Sequence, residues 1–275
     1  MPGVRSETAG RRSPGTRAAL ETMPGVRSET AGRRSPGIRA ALDTMPGVRE
    51  VVDGVFELGL GKVNVHLVVT DDGVVLVDTG LPRLAPVIEH ALKGIGRSLG
   101  EIRAILLTHH HADHAGSAAD LRARTGAPLV AHALTAFHLA GSEQAPEPEG
   151  RLRRFLFRRL GKVEPTKVDR MAGDGAEPVP GFTAVHTPGH TKGHLSFLLD
   201  RAGGVLFAGD AATAANGRVA GPPPATMTGV PPVTDSEKAA ASLARLAERD
   251  FEHALFGHGR PVTGGAAALF REAAG

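Results

Sequence analysis

The sequence predicts an α/β domain of alternating strands and helices, preceded by a tail of different character. Three observations carry this. From Val55 onward, short runs of Val, Ile and Leu bounded by Gly, Asp and Pro alternate with stretches whose apolar residues recur at helical spacing. The hydrophobic fraction is 41% over 275 residues, enough for a sizeable core. One apolar run, Ala104 to Leu107, ends in Thr108-His109-His110-His111-Ala112-Asp113-His114, where a strand would pass into a helix.

The tail comes first. MPGVRSETAGRRSPGTRAALET is followed at once by MPGVRSETAGRRSPGIRAALDT, a 22-residue repeat that differs only at Thr16/Ile38 and Glu21/Asp43. A third copy begins at Met45 and departs after Arg49. Two copies so poor in apolar residues cannot bury a core, so residues 1–44 are expected to be disordered. No apolar run follows Arg11-Arg12 or Arg33-Arg34, which argues against a secretory signal. The repeat suggests duplication at the start of the gene, with Met45 as the earlier start.

The body, residues 45–275, is then read in order. Val55–Leu58, Val63–Val69 and Val74–Val77 are strands, the last two joined by an Asp71-Asp72-Gly73 turn. A helix is predicted from Arg83 to about Ile95, with Leu84, Val87, Ile88, Ala91 and Leu92 on its apolar side. The strand Ala104–Leu107 leads into the histidine turn and a helix from Asp113 to about Thr125. A short strand at Pro128–Val130 and a helix from His132 to Ala140 follow. His66, alone on its strand, reads as structural. His132 and His138 have no assignable partner.

Gly141–Gly150 is a polar linker. Beyond it, Arg151–Leu160 is cationic and amphipathic, with Leu152, Phe155, Leu156 and Leu160 on one side. It is expected to cover a substrate site rather than anchor to a membrane. Phe182–His186 and Val205–Asp210 are strands. The Pro- and Gly-rich stretch 216–235 is expected to be a long loop. Asp235 caps a helix from Ser236 to Glu248. His253–Phe256 is a strand, and Ala266–Ala274 a closing helix.

Composition excludes several classes. There is no cysteine, hence no disulfide, thiolate metal site or cysteine nucleophile. This fits a reducing compartment, and a cytoplasmic location is expected. Tyrosine and tryptophan are also absent. No run of 18 apolar residues exists, so no membrane span is expected. The net charge of +3 belongs to the tail, which has eight arginines against four acids. The body holds 24 basic and 25 acidic residues, so no basic field recruits nucleic acid.

The histidine turn reads H-x-H-x-D-H. Imidazole and carboxylate are the ligands of zinc and its neighbours where thiolate is lacking. In an extended segment His109 and His111, two residues apart, point the same way. Asp113 and His114, at the helix start, reach a second position beside the first. A solvated histidine loop is the bland alternative. The ordered set between a strand and a Gly-Ser-Ala helix start speaks against it.

This segment resembles the metal-binding motif of the metallo-β-lactamase fold superfamily, in its glyoxalase II and lactonase-like branch. The resemblance spans about residues 50–265. Further matches follow in the superfamily's order: Asp78-Thr79-Gly80, Thr187-Pro188-Gly189-His190, Val205 to Asp210, and Gly257-His258-Gly259. Lys192 stands where a second proline is often found. The resemblance implies a four-layer αββα sandwich with the metal site at one edge of the two sheets. It implies two zinc ions per chain, with iron or manganese as alternatives. His109, His111 and His190 would hold one metal, and Asp113, His114 and His258 the other, with Asp210 bridging. Asp78 would support the site from beneath, and His194 would stand near it, hydrogen-bonded; neither would be a ligand.

The chemistry so implied is hydrolysis. Two divalent ions roughly 3.5–4 Å apart bridge a hydroxide that attacks the substrate, and Asp113 orients it. A small-molecule ester, lactone or thioester is the expected substrate. A bridging Asp210 argues against β-lactamases that use only histidine and aspartate, and the lack of cysteine excludes the rest. A single-iron, persulfide dioxygenase-like oxidoreductase is the alternative, or a β-lactam or phosphodiester hydrolase of the same fold. A non-catalytic binding module fits an intact ligand set poorly. Relatives often place a tyrosine against the substrate. This chain has none, so substrate contacts and oligomeric state stay open.

Overall fold

The structure is a computed structural model and describes residues 47–141, 163–223 and 235–275. The tandem repeat, the linker from residue 142, the Arg151–Leu160 segment and residues 224–234 of the expected loop lie outside the described residues.

Two sheets carry the body. The larger has seven strands in sequence order: β1 (Val48–Val52), β2 (Val55–Gly59), β3 (Asn64–Thr70), β4 (Gly73–Val77), β5 (Ile102–Leu106), β6 (Leu129–Ala131) and β7 (Arg170–Met171). β1 to β4 pair antiparallel, and β4 to β7 pair parallel. The change of sense falls where helices enter the chain, because a parallel pair needs a crossover. α1 (Ala85–Gly94) connects β4 to β5, and α2 (Ala112–Ala115) with α3 (Ala118–Thr125) connects β5 to β6. α4 (Ala133–Leu139) follows β6.

The second sheet contains β8 (Phe182–His186), β9 (Leu195–Leu199) and β10 (Val205–Gly209). After a hairpin of β11 (Thr213–Ala215) and β12 (Arg218–Ala220) and the helix α5 (Ser236–Ala247), it gains β13 (His253–Phe256) and β14 (Val262–Thr263). Its order is β14-β13-β10-β9-β8, with β10 and β13 parallel. α6 (Ala266–Ala274) closes the chain.

Side-chain alternation sorts these strands into layers. Val74 and Leu76 of β4 join Ile88, Leu92 and Leu121 of the helices on one face. Val75 and Val77 join Phe197, Val205 and Phe207 of the other sheet. Leu206 and Ala208 of β10, with Ala254 and Phe256 of β13, pack on Leu243, Leu246 and Phe270 of α5 and α6. Three apolar seams, helix–sheet, sheet–sheet and sheet–helix, make the four-layer αββα sandwich that the resemblance implied. No helix among the described residues is long and apolar enough to cross a membrane.

Several elements differ from expectation for identifiable reasons. The helix predicted from Asp113 to Thr125 breaks into α2 and α3 at Gly116-Ser117. A Cβ on Gly116 would lie 2.3 Å from Pro82 N, so only glycine lets the chain pass there. Ser117 then receives the N–H of Leu84 at 2.8 Å and donates to Leu81 O at 2.7 Å. α1 starts at Ala85 rather than Arg83, whose φ of 72° is not helical. Residues 213–220, partly assigned to loop, form the β11–β12 hairpin through Asn216-Gly217, with φ of 53° and 74°. Those angles are what an Asn-Gly hairpin turn requires. β1, β7, β9 and β14 were not anticipated. His66 is structural as expected, buried against Phe207 with ring centroids 5.4 Å apart and 3.7 Å from Glu57.

Candidate metal centre

Five strand ends deliver the site. β4 ends in Asp78, and β5 runs into the turn carrying His109, His111, Asp113 and His114. β8 leads to His190, β10 to Asp210 and β13 to His258. All seven residues expected as ligands come together. His109, His111 and His190 form one group, His109, His114 and Asp210 a second, and Asp113, His114 and His258 a third. Within each group the offered donor atoms lie within 4.8 Å of one another.

The first group is close. His111 Nδ1 lies 3.0 Å from both His109 Nε2 and His190 Nε2. Asp210 occupies the middle. Its Oδ1 is 3.4 Å from His114 Nε2, and its Oδ2 is 3.2 Å from His190 Nε2 and 3.3 Å from His258 Nε2. Asp113 Oδ2 lies 3.6 Å from His258 Nε2. Glycine makes room: a Cβ on Gly257 would stand 2.3 Å from Asp210 Oδ1 and 2.4 Å from His114 Cε1.

Hydrogen bonds behind the site fix which nitrogens face it. Thr108 Oγ1 donates to Asp78 Oδ2 at 2.8 Å, so it accepts from His109 Nδ1 at 3.0 Å, leaving Nε2 of His109 with its lone pair. Asp78 Oδ2 likewise accepts from His114 Nδ1 at 2.8 Å. His258 Nδ1 donates to Lys62 O at 2.5 Å. In each ring the outward nitrogen is a donor and the inward one faces the cluster, the arrangement that orients metal-binding imidazoles. Asp78 adopts a φ of 60° and also accepts the Thr108 N–H at 2.8 Å, which binds the β4 end to the histidine turn.

The electrostatics separate the two sides of the cluster. The His109, His111 and His190 side is neutral, while against burial the carboxylates draw positive charge onto His114 and His258, the charge a cation would supply in their place. Burial, then the neighbouring His114 and His111, hold His109 well below its ordinary value. Burial and His190 push His111 down to about 3, and burial pushes His190 down to about 4. These imidazoles are neutral, the form that binds metal. Burial would lower His114 too, but the Asp210 and Asp78 carboxylates outweigh it and raise it well above the usual range. Asp210, despite burial, is held well below the carboxylate range by His114 and His258.

This donor set fits divalent metal. Both oxygens of Asp113 and Oδ1 of Asp210 are buried without a hydrogen-bond partner. Buried polar atoms without partners are costly unless something coordinates them. Converging nitrogen lone pairs and orphaned carboxylate oxygens are what a cation stabilises.

Other residues were missed or left without a role by sequence reading. Asn64 donates through Nδ2 to Phe256 O at 3.0 Å and Gly259 O at 2.9 Å, clasping the turn that carries His258. Thr108 sets the His109 tautomer, and Thr187 receives His194. An amide or a threonine at a strand end has no signature spacing, so only the long-range contact reveals it. His194 lies where expected, buried beside His109 with ring centroids 5.2 Å apart and outside all three donor groups.

Comparison with known proteins follows the same lines. A family model described as the metallo-beta-lactamase superfamily matches residues 58–258. A probable metallo-hydrolase of Bacillus subtilis, YflN, is 31% identical over 236 residues, covering 78% of this chain and 87% of that protein. An N-acyl homoserine lactonase from a Bacillus species is 29% identical over 222 residues, covering 70% of this chain and 79% of that protein. Among solved structures, a metallo-beta-lactamase from Cronobacter sakazakii matches with a TM-score of 0.60 at 27% identity, covering 77% of this chain and 80% of that one.

Proposed function

The chain belongs to the metallo-beta-lactamase superfamily and is a metal-dependent hydrolase, and from that premise we propose that it cleaves a small ester, lactone or thioester at a centre of two zinc ions. His109, His111 and His190 would hold one ion, Asp113, His114 and His258 the other, and Asp210 both. The observation that carries this reading is Asp210. Its carboxylate lies against histidines of both sets, His190 of the first and His114 and His258 of the second. A carboxylate so placed would serve two ions at once. The similarity to an N-acyl homoserine lactonase supports the ester and lactone class.

Bound divalent ions supply Lewis-acid activation of water and of the scissile carbonyl. The chain's own residues do the rest. Asp113, with two unpartnered oxygens, would accept a hydrogen bond from the attacking water and so orient it. Asp78 keeps the proton of His114 on Nδ1, away from the reacting side. The buried cluster excludes bulk water from all but the half-exposed His111 and His258.

The test is metal content of protein purified without added metal, with turnover on lactones, thioesters, β-lactams and phosphodiesters. Two zincs per chain and preferential cleavage of lactones or thioesters are expected. One iron per chain without hydrolysis would replace this reading with a single-iron oxidoreductase. Faster turnover of β-lactams or phosphodiesters would move the substrate class.

A further inference from the structure

α4 is short, yet it touches both loops that carry ligands of the first metal group. One side of it is anchored. Ala136 and Leu139 are buried in the core that also holds Leu121 and Leu129. His132, Thr135 and His138 recur at three-residue spacing along another side, where residues are neighbours on a helix.

Each of the three meets a ligand loop. His138 stacks on His110, the middle histidine of the metal turn, with ring centroids 4.0 Å apart and planes at 16°. Thr135 is buried and donates to Gly193 O at 2.9 Å, in the loop that presents His190. His132 stacks on His186 at the start of that loop, with centroids 4.6 Å apart and planes at 3°. His186 Nε2 in turn donates to Lys192 O at 3.0 Å, closing the loop on itself. The loop lies tightly on α4. A Cβ on Gly193 would stand 2.9 Å from Leu134 Cβ and Thr135 N, and 3.1 Å from His132 Nδ1. Only glycine permits that approach.

Resting on the metal centre proposed above, we propose that this side of α4 is a brace that sets the spacing of the two ligand loops. His132, Thr135 and His138 are then positioning residues. The gap they set is the 3.0 Å between His111 Nδ1 and His190 Nε2, one nitrogen from each loop. One main-chain bond, from Leu195 N–H to Thr108 O at 2.8 Å, joins the bases of the two loops, and ligand geometry farther out along them depends on supporting side-chain contacts. His110, whose ring carries the stack, is braced rather than ligating, and stands outside all three donor groups.

The test compares zinc affinity, by competition with a chromophoric chelator, and the visible spectrum of the cobalt(II)-substituted protein. His138→Ala should weaken zinc binding about 10- to 100-fold, the range for removing a group that orients a ligand, and shift the cobalt bands. His138→Phe keeps a stacking ring and should restore both. Gly193→Ala should reproduce the His138→Ala effect from the other loop. Leu134→Ala, an exposed change on the same helix, should match wild type. Wild-type affinity and spectrum in His138→Ala would overturn the brace while leaving the centre standing. Equal loss in His138→Ala and His138→Phe would also overturn it. A wild-type chain that binds no zinc would overturn the centre and the brace together.

Discussion

The backbone N–H of Asp210 donates to Nε2 of His194 at 3.0 Å, so the residue at the middle of the donor cluster is held by a buried imidazole. The ring's own proton is therefore on Nδ1, donated to Thr187 Oγ1 at 2.8 Å. Thr187 Oγ1 lies 3.0 Å from Ser196 Oγ, which donates to Ala208 O at 2.9 Å. His194→Phe keeps the volume but leaves the Asp210 N–H without an acceptor. We expect a loss of about 1–3 kcal/mol, the cost of a buried unsatisfied donor, and weaker zinc binding. Urea unfolding and zinc titration measure the two. Unchanged stability would mean that His194 is only filling space.

Asp210→Ala tests the bridge directly. Loss of zinc from both positions and abolished hydrolysis are expected, with the far-UV circular dichroism retained. If Asp210 only caps a strand end, metal content stays at the wild-type level and stability falls by about 0.5–2 kcal/mol, the range for a lost capping carboxylate.

A pH-dependent contribution comes from far outside the centre. Arg122 of α3 donates from Nε and Nη2 to the two oxygens of Asp169 at 2.7 Å each, and the Leu129 N–H adds a contact of 3.0 Å. The guanidinium holds the Asp169 carboxyl down to about 2. A carboxyl depressed in the folded state stabilises above its unfolded value, near ~4, and that stability is lost as pH falls through the folded value. Asp169→Asn should therefore unfold about 1 kcal/mol more easily at pH 7, a modest figure because the pair is partly exposed. The gap to wild type should close between pH 4 and pH 2. A gap that ignores pH would assign the effect to packing.

Removal of the tail is expected to be silent. A chain beginning at Met45 should keep the Tm and the hydrolytic rate of the full chain, since the 22-residue repeat carries no apolar periodicity. A large drop in either would show that the tail folds onto the body.

The donor cluster was legible in the sequence because the histidine turn stands out by composition and because His190, Asp210 and His258 fall in motifs that resemble those of the superfamily. His109 to His114 lie within six residues, and His190 and His258 are flanked by glycine or proline. What holds those ligands was not legible. Asn64 reaches Gly259, Thr187 receives His194, and His138 finds His110 through contacts made only after folding. The strands show the same divide. β2 to β5 announce themselves by runs of Val, Leu and Ile. The two-residue strands β7 and β14 exist only because a neighbour pairs with them. β9 was hidden for another reason: Leu195 follows His194 directly, so the ligand-bearing loop obscured its start. The helix break at Gly116 depends on Leu81 and Pro82, more than thirty residues away, and no local pattern encodes it.

The four residues from the histidine turn belong to one sheet, and His190, Asp210 and His258 to the other. A cation shared among them would be a rivet between layers, owned by neither half of the chain. If zinc occupies the centre as proposed, its off-rate would rise with any loosening of the seam the two sheets share. A hole cut there, for instance by Phe197→Ala, should speed metal release without altering any ligand, because Phe197 is fully buried in that seam.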